Sequence, residues 1–148
     1  MENEQNIDEK YMRLALEEAL VALDEGEVPI GAIIVSRGRV VGRGHNLVER
    51  LRDVTAHAEM QAITAAAESI GGKYLTDCTM YVTLEPCPMC AAALGWAQLP
   101  RLVFGAADPK RGYRCHSDRL LHPKSIVKEG VLKEQCEELL STFFRKLR

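Results

Sequence analysis

The sequence predicts an α/β layered domain in which helices cover a mixed sheet. Three observations carry that expectation. Strand and helix patterns alternate after residue 50, as parallel strands joined by crossover helices require. A hairpin pattern precedes them and adds an antiparallel pair, which makes the sheet mixed. The chain has 148 residues, 47% hydrophobic and 27% charged, enough apolar material for one core and enough charge for solubility.

The elements follow in order. From Asp8 to Asp24, Met12, Leu16, Ala19, Leu20 and Leu23 recur at helical spacing, with Asp8 placed to cap the start and Gly26 to end the helix. Ile30 to Val35 is rich in β-branched residues, Arg39 to Gly44 carries a weaker strand pattern, and Gly38 sits at the turn between them. Ala56 to Ile70 is an alanine-rich helix halted by Gly71-Gly72. Thr79 to Leu84 alternates like a strand. Pro88 to Trp96 reads as a short helix with proline in its first turn, and Leu102 to Phe104 as a short buried strand. A closing helix starts at Glu129 or Val131 and runs to Leu147. No linker, repeat or low-complexity stretch interrupts the pattern, so residues 1–148 are expected to form a single domain.

The formal charge is −2, from 19 Lys plus Arg and 21 Asp plus Glu. It is unevenly spread. Residues 1–28 carry net −7, residues 29–96 net 0 and residues 97–148 net +5. Solvated helix faces of opposite sign are the simplest account; a local basic field for phosphates is the other. The start, Met1-Glu2-Asn3-Glu4-Gln5, is acidic and has no apolar run, so it is not read as a secretory signal. No stretch approaches the ~20 apolar residues of a membrane span, so no membrane partner is expected. Five cysteines, an odd number, point away from a disulfide framework and towards a reducing cytoplasm.

Two segments carry chemistry: Thr55-Ala56-His57-Ala58-Glu59 and Glu85-Pro86-Cys87-Pro88-Met89-Cys90. Cys87 and Cys90 are three apart at the start of a helix, where both thiolates can face one ion. A lone C-x-x-C also occurs in redox motifs and zinc ribbons. A ribbon needs a second pair, and Cys78, Cys115 and Cys136 have no partner at ligand spacing. Cys115 beside His116 likewise does not make a second metal site. His57 is the simplest third ligand. Three protein ligands leave one tetrahedral position for water, whose pKa zinc lowers to about 7. Glu59 is two residues beyond His57 and so does not share its helix face. A first-turn carboxylate favoured by the helix dipole would account for it structurally; beside a three-ligand zinc site, a proton shuttle accounts for it better.

His57-x-Glu59 followed by Pro86-Cys87-x-x-Cys90 matches the known signature of zinc-dependent nucleobase deaminases; it is a match rather than a derivation. The run Gly26-Glu27-Val28-Pro29-Ile30-Gly31-Ala32, the Gly44-His45-Asn46 segment, Tyr81 through Cys90, and the tail from Gly130-Val131-Leu132 through Phe143-Phe144-Arg145-Lys146 closely resemble bacterial tRNA-specific adenosine deaminases. The resemblance runs from about residue 11 to 148. It implies a three-layer cytidine-deaminase-like fold with a central mixed five-stranded sheet flanked by helices. It implies one Zn2+ per subunit on His57, Cys87 and Cys90, with Glu59 as proton shuttle. Asn46 would hydrogen-bond the flipped base or its ribose, and Val28, Pro29, Ile30 and Ala58 would line the base pocket. The implied reaction is hydrolytic deamination of wobble adenosine to inosine by zinc-activated hydroxide, in a cytoplasmic homodimer whose sites are completed partly by the neighbouring subunit. The implied partner is a tRNA anticodon stem-loop.

Candidate RNA contacts are Lys110, Arg111 and Arg114 in a loop after a strand, and Phe143, Phe144, Arg145, Lys146 and Arg148 at the end of the last helix. At least one of the two phenylalanines is expected in the core. Two stretches depart from the family pattern. Gly95 to Pro100 lacks the arginine usual before the strand, and Arg111 to His116 is bulkier than the small-residue loop common there. A free-base or nucleoside deaminase of the guanine or cytosine type, with the same zinc chemistry, is the alternative activity. A zinc-stabilised RNA-binding module without activity is a third reading, against which Glu59 speaks.

Overall fold

Gly31–Ser36, a run of small and β-branched residues, forms β1, the strand that joins the two halves of the sheet. The computed structural model describes residues 3–147. Arg37 and Gly38, at φ of 52° and 76°, turn the chain straight back into β2 (Arg39–His45), antiparallel to β1. On its other side β1 pairs antiparallel with β3 (Cys78–Leu84). Two parallel neighbours follow, β4 (Arg101–Ala106) and β5 (Ile126–Glu129). The mixed sheet therefore has five strands in the order β2-β1-β3-β4-β5.

Alternation along these strands makes two cores. Ala32, Ile34, Met80, Val82, Leu102 and Phe104 face α3 (Ala58–Ile70) and α4 (Pro88–Trp96). Ile33, Val35, Tyr81 and Val103 face α1 (Glu4–Asp24) and α5 (Lys133–Lys146). The result is three layers, helix, sheet and helix, as expected. None of the described helices is long and apolar enough to cross a membrane.

The buried stripe of α1 differs from its sequence reading. Tyr11, Met12, Ala15, Ala19 and Ala22 are buried, Leu16 and Leu23 are half-buried, and Leu20 is exposed. The helix lies so close to β1 that a Cβ on Gly31 would overlap the Ala15 carbonyl, so only small side chains fit beneath it. Asp8 is not a cap either. Asn3 caps the helix, accepting the Asn6 N–H at 2.8 Å. Asp8 lies one turn inside and is buried, accepting from the Tyr81 hydroxyl (2.8 Å), Arg101 (2.8 Å) and Lys128 (2.9 Å). Burial alone would raise its pKa; the bonds from Arg101, Lys128 and Tyr81 together hold it at about 2.

At the other end of the chain, Ile126–Glu129 is a strand, and the last helix begins only at Lys133. Gly130 and Leu132, at φ of 86° and 53°, separate the two. A further short helix, α2 (Val48–Leu51), lies in the connection between β2 and α3. Phe143 and Phe144 are not in the core. Phe143 is half-buried and Phe144 exposed, with their rings edge to face at 5.3 Å. Among the described residues α5 buries only Cys136 fully, which seats it against Gly105 and leaves the final turn outside.

This topology gathers chain-distant segments at one end of the sheet. The Asn46 N–H donates to the Ile30 carbonyl at 3.2 Å, and the Glu85 N–H donates to the Ala106 carbonyl at 2.8 Å. The start of β1, the end of β2 and the carboxyl ends of β3 and β4 therefore meet, at the kind of strand-end crevice where α/β sheets bind ligands.

Candidate active site

His57 and Cys87 are the N-cap residues of α3 and α4, both extended and neither using its side chain to cap. Pro88 fixes the first turn of α4 and brings Cys90 to the same side as Cys87. Glycine at position 44 of β2 sets the approach of α3, because a Cβ there would overlap the Ala58 carbonyl. As a result the His57 Nδ1 lies 3.5 Å from each of the Cys87 and Cys90 sulfurs. All three donor atoms are within 4.8 Å of one another, the one such group among the described residues.

This set fits zinc. Bonds of about 2.1 Å to nitrogen and 2.3 Å to sulfur at a tetrahedral angle put N and S about 3.6 Å apart, close to the spacing found. Two soft thiolates and an imidazole suit zinc over magnesium or calcium. The Cys87 thiol is held down to about 4, first by a hydrogen bond from Cys90 and then by one from His57. Cys90, on the donating side, is pushed up by that bond and by burial. His57 is raised, chiefly by its bond to Cys87. Both helix N-termini add positive potential for the thiolate charge.

Glu59 is buried, in the first turn of α3, with its carboxyl within hydrogen-bond reach of Cys90 and of its own N–H. Burial pushes it up to about 7. A divalent cation at the three donors would lower it again. Asn46 follows β2 directly and is buried, and its Oδ1 has no hydrogen-bond partner. An acceptor stranded in this way costs about 1–3 kcal/mol unless something donates to it. Beside it, Pro29 and Ala58 are buried, with Val28 and Ile30 half-buried.

Glu85 carries no sequence signal beyond being a lone carboxylate at the end of an apolar strand, and sequence reasoning passed over it. It is buried and organises the loop after β4. Its oxygens accept the Asp108 N–H (3.1 Å), the Arg114 N–H (3.2 Å) and the Arg114 guanidinium (3.0 Å). Those bonds outweigh burial, which acts the other way, and lower its pKa. A Cβ on Gly112 would strike the Glu85 carboxyl. Arg114 is thus engaged from within: it also pairs with Glu129 and lies 4.9 Å over the Phe104 ring. Lys110 and Arg111 on the same loop are exposed, as are Arg145 and Lys146 in the last turn of α5. Arg148 lies outside the described residues.

Residues 6–148 match the MafB19-like deaminase family. The chain is 46% identical over 147 residues to the tRNA-specific adenosine deaminase of Bacillus subtilis, with 95% of this chain and 91% of that protein covered. A solved structure from work on A-to-I editing by tRNA:A34 deaminases at the wobble position is similar at TM-score 0.82 and 42% identity, covering 88% of this chain and 99% of that one. A guanine deaminase structure from Bacillus subtilis is similar at TM-score 0.64 and 37% identity, over 67% of this chain and 64% of that one.

Proposed function

The chain belongs to the tRNA-specific adenosine deaminase family, and we propose that it converts adenosine at the tRNA wobble position to inosine, releasing ammonia. The observation that carries this reading is the His57, Cys87 and Cys90 donor set with the buried Glu59 carboxyl against it. The tRNA-specific relative from Bacillus subtilis is 46% identical over 95% of this chain, against 37% over 67% for the guanine deaminase structure from the same organism.

His57, Cys87 and Cys90 would hold one Zn2+ per subunit, which when bound activates water for attack near neutral pH. The rest falls to side chains. Water adds at C6 of the base while Glu59 takes its proton and passes it to N1. A second proton passes through Glu59 to the exocyclic nitrogen, the C6–N bond breaks, and ammonia leaves as the ring carbonyl forms. Asn46 offers its free Oδ1 to a donor on the base or ribose, which fixes the nucleotide against Val28, Pro29, Ile30 and Ala58. An anticodon-loop base is already partly unstacked, so extruding it costs less than flipping one from a duplex.

Lys110 and Arg111 supply phosphate contacts near the site. Arg145 and Lys146, exposed in the last turn of α5 with Phe143 and Phe144 beside them, would add phosphate contacts farther along the RNA. The homodimer rests on the family resemblance and on exposed apolar side chains. Val54, 80% exposed three residues before His57, and Trp96, 83% exposed at the end of α4, are the kind of surface a neighbouring subunit covers. The segments of Asn46, His57, Glu59, Cys87 and Cys90 all gather at one end of a single sheet, which supports reading residues 1–148 as a single catalytic domain. The resemblance to bacterial tRNA-specific enzymes supports a cytoplasmic location.

Zinc-loaded protein incubated with an anticodon stem-loop bearing wobble adenosine should yield inosine on sequencing, and chelation should abolish it. No inosine from zinc-loaded protein would overturn the reading. The 37% identity to a guanine deaminase favours one rival, a free-base enzyme. Ammonia release from free guanine, with no response to the stem-loop, would establish that instead.

A further inference from the structure

Glu27 is a carboxyl residue at 1% exposure, between the end of α1 and β1, and no cation among the described residues pairs with it. Its Oε1 accepts the Glu49 N–H at 3.0 Å and its Oε2 the Arg50 N–H at 2.8 Å. Those are first-turn amides of α2, a helix with no side-chain cap of its own. A carboxylate offers a separate oxygen to each of the two amides. The Arg50 guanidinium turns elsewhere, to Glu25 at 2.7 Å.

The turn held in this way is placed between the working parts of the site. Asn46 lies two residues before α2 and bonds Ile30 through its backbone. Leu47, next in sequence, donates to the Ala56 carbonyl at 2.9 Å, which ties the Asn46 strand end to the segment just before His57. Glu27 is itself bonded to the Val28-Pro29-Ile30 wall by the peptide chain. It therefore cross-links the wall to the segment that carries Asn46, from beneath and out of water.

We propose that Glu27 is a positioning residue for deamination. Its carboxylate fixes the first turn of α2, and through it sets Asn46 against the 28–30 wall, so that the base is held with C6 open to attack. This rests on the deaminase reading above. Glu27 touches no reacting atom; it acts through Asn46.

The test is a double-mutant cycle on zinc-loaded protein with the wobble-adenosine stem-loop, read by single-turnover rates and KM. Glu27→Gln keeps the shape but presents an NH2 to one of the two amides. It should lower kcat/KM about tenfold, the order expected for one unpaired buried donor, with zinc content and stem-loop retention unchanged. In an Asn46→Ala background the same change should cost less than about twofold, because its target is gone. Equal losses in the two backgrounds would overturn the proposal, as would a loss that follows zinc content. So would wild-type activity in Glu27→Gln. If Glu27→Gln does not fold, Glu27→Asp, too short to reach both amides, is run through the same cycle against the same outcomes. Wild-type protein that makes no inosine removes the deaminase reading itself, whereas an active wild type with additive losses removes only the role of Glu27.

Discussion

Glu59 is a buried carboxyl group in the first turn of α3, pushed up to about 7 by that burial, and its proposed task is to carry a proton. Glu59→Gln keeps size and burial but cannot carry that proton. Inosine formation should fall at least ~100-fold while zinc content and stem-loop affinity hold, as metal analysis and a binding titration would show. A parallel loss of RNA affinity would make Glu59 structural instead. Asp8 gives a prediction on stability. Its folded pKa is about 2 against an ordinary value of 3.8, so its contribution is complete above pH 4 and drains away as pH falls towards 2. Asp8→Ala should cost about 1–3 kcal/mol at neutral pH, and the deficit should shrink on acidification below pH 4, seen as converging melting curves. The sequence showed an Asp ahead of a helical pattern and suggested a cap; its real partner, Arg101, is 93 residues away in the chain, and no local pattern encodes that pairing. The His57, Cys87 and Cys90 cluster was legible because Cys87 and Cys90 stand three apart and His57 lies in a short motif of its own.

Among the elements, α3 and α4 matter through where they start. Their first residues carry the metal donors, and Gly44 sets how closely α3 can approach β2. Gly44→Ala should push the first turn of α3 outward. It should cost about 1–3 kcal/mol by overpacking and weaken zinc retention in a chelator competition, while leaving far-UV dichroism intact. The helices that bury one face, and strands such as β1 that are apolar throughout, could be read from periodicity. β5 could not. Ile126 and Val127 are too short an apolar pair to mark a strand and both lie exposed, so β5 exists because β4 offers it a ladder of partners. Phe143 and Phe144 look like core residues by composition, yet α5 meets the sheet mainly at Cys136 and leaves its end free.

For the whole molecule, a total charge of −2 hides two different uses of charge. Much of the acidic first third is occupied within the fold. Glu4 and Asp8 meet Arg101 and Lys128, and Glu18 and Glu25 flank the His45 ring at 3.0 and 2.9 Å. The basic final third is divided. Arg114, itself exposed, is tied to the buried Glu85 and to Glu129, whereas Lys110, Arg111, Arg145 and Lys146 are exposed and bind no buried carboxylate among the described residues. Stem-loop affinity should therefore fall steeply with salt, and Lys110→Ala or Arg111→Ala should flatten the log–log slope by about 0.7–0.9 each. Arg114→Ala should leave the slope alone and lower the melting temperature. A slope change from Arg114→Ala with unchanged stability would show that it reaches RNA after all.

All the chemistry lies at one pole of the sheet, and the opposite pole is built from the Arg37-Gly38 turn, the Gly71-Gly72 bend and the strand beginnings at Cys78 and Arg101. At Gly38 and at Gly72 an added Cβ would meet nothing within 4 Å. That makes the far pole a natural handle. A dye, a surface tether or a fused partner attached near Gly72 would hang on the side away from the substrate, and the protein could be immobilised there with its working end facing the solution.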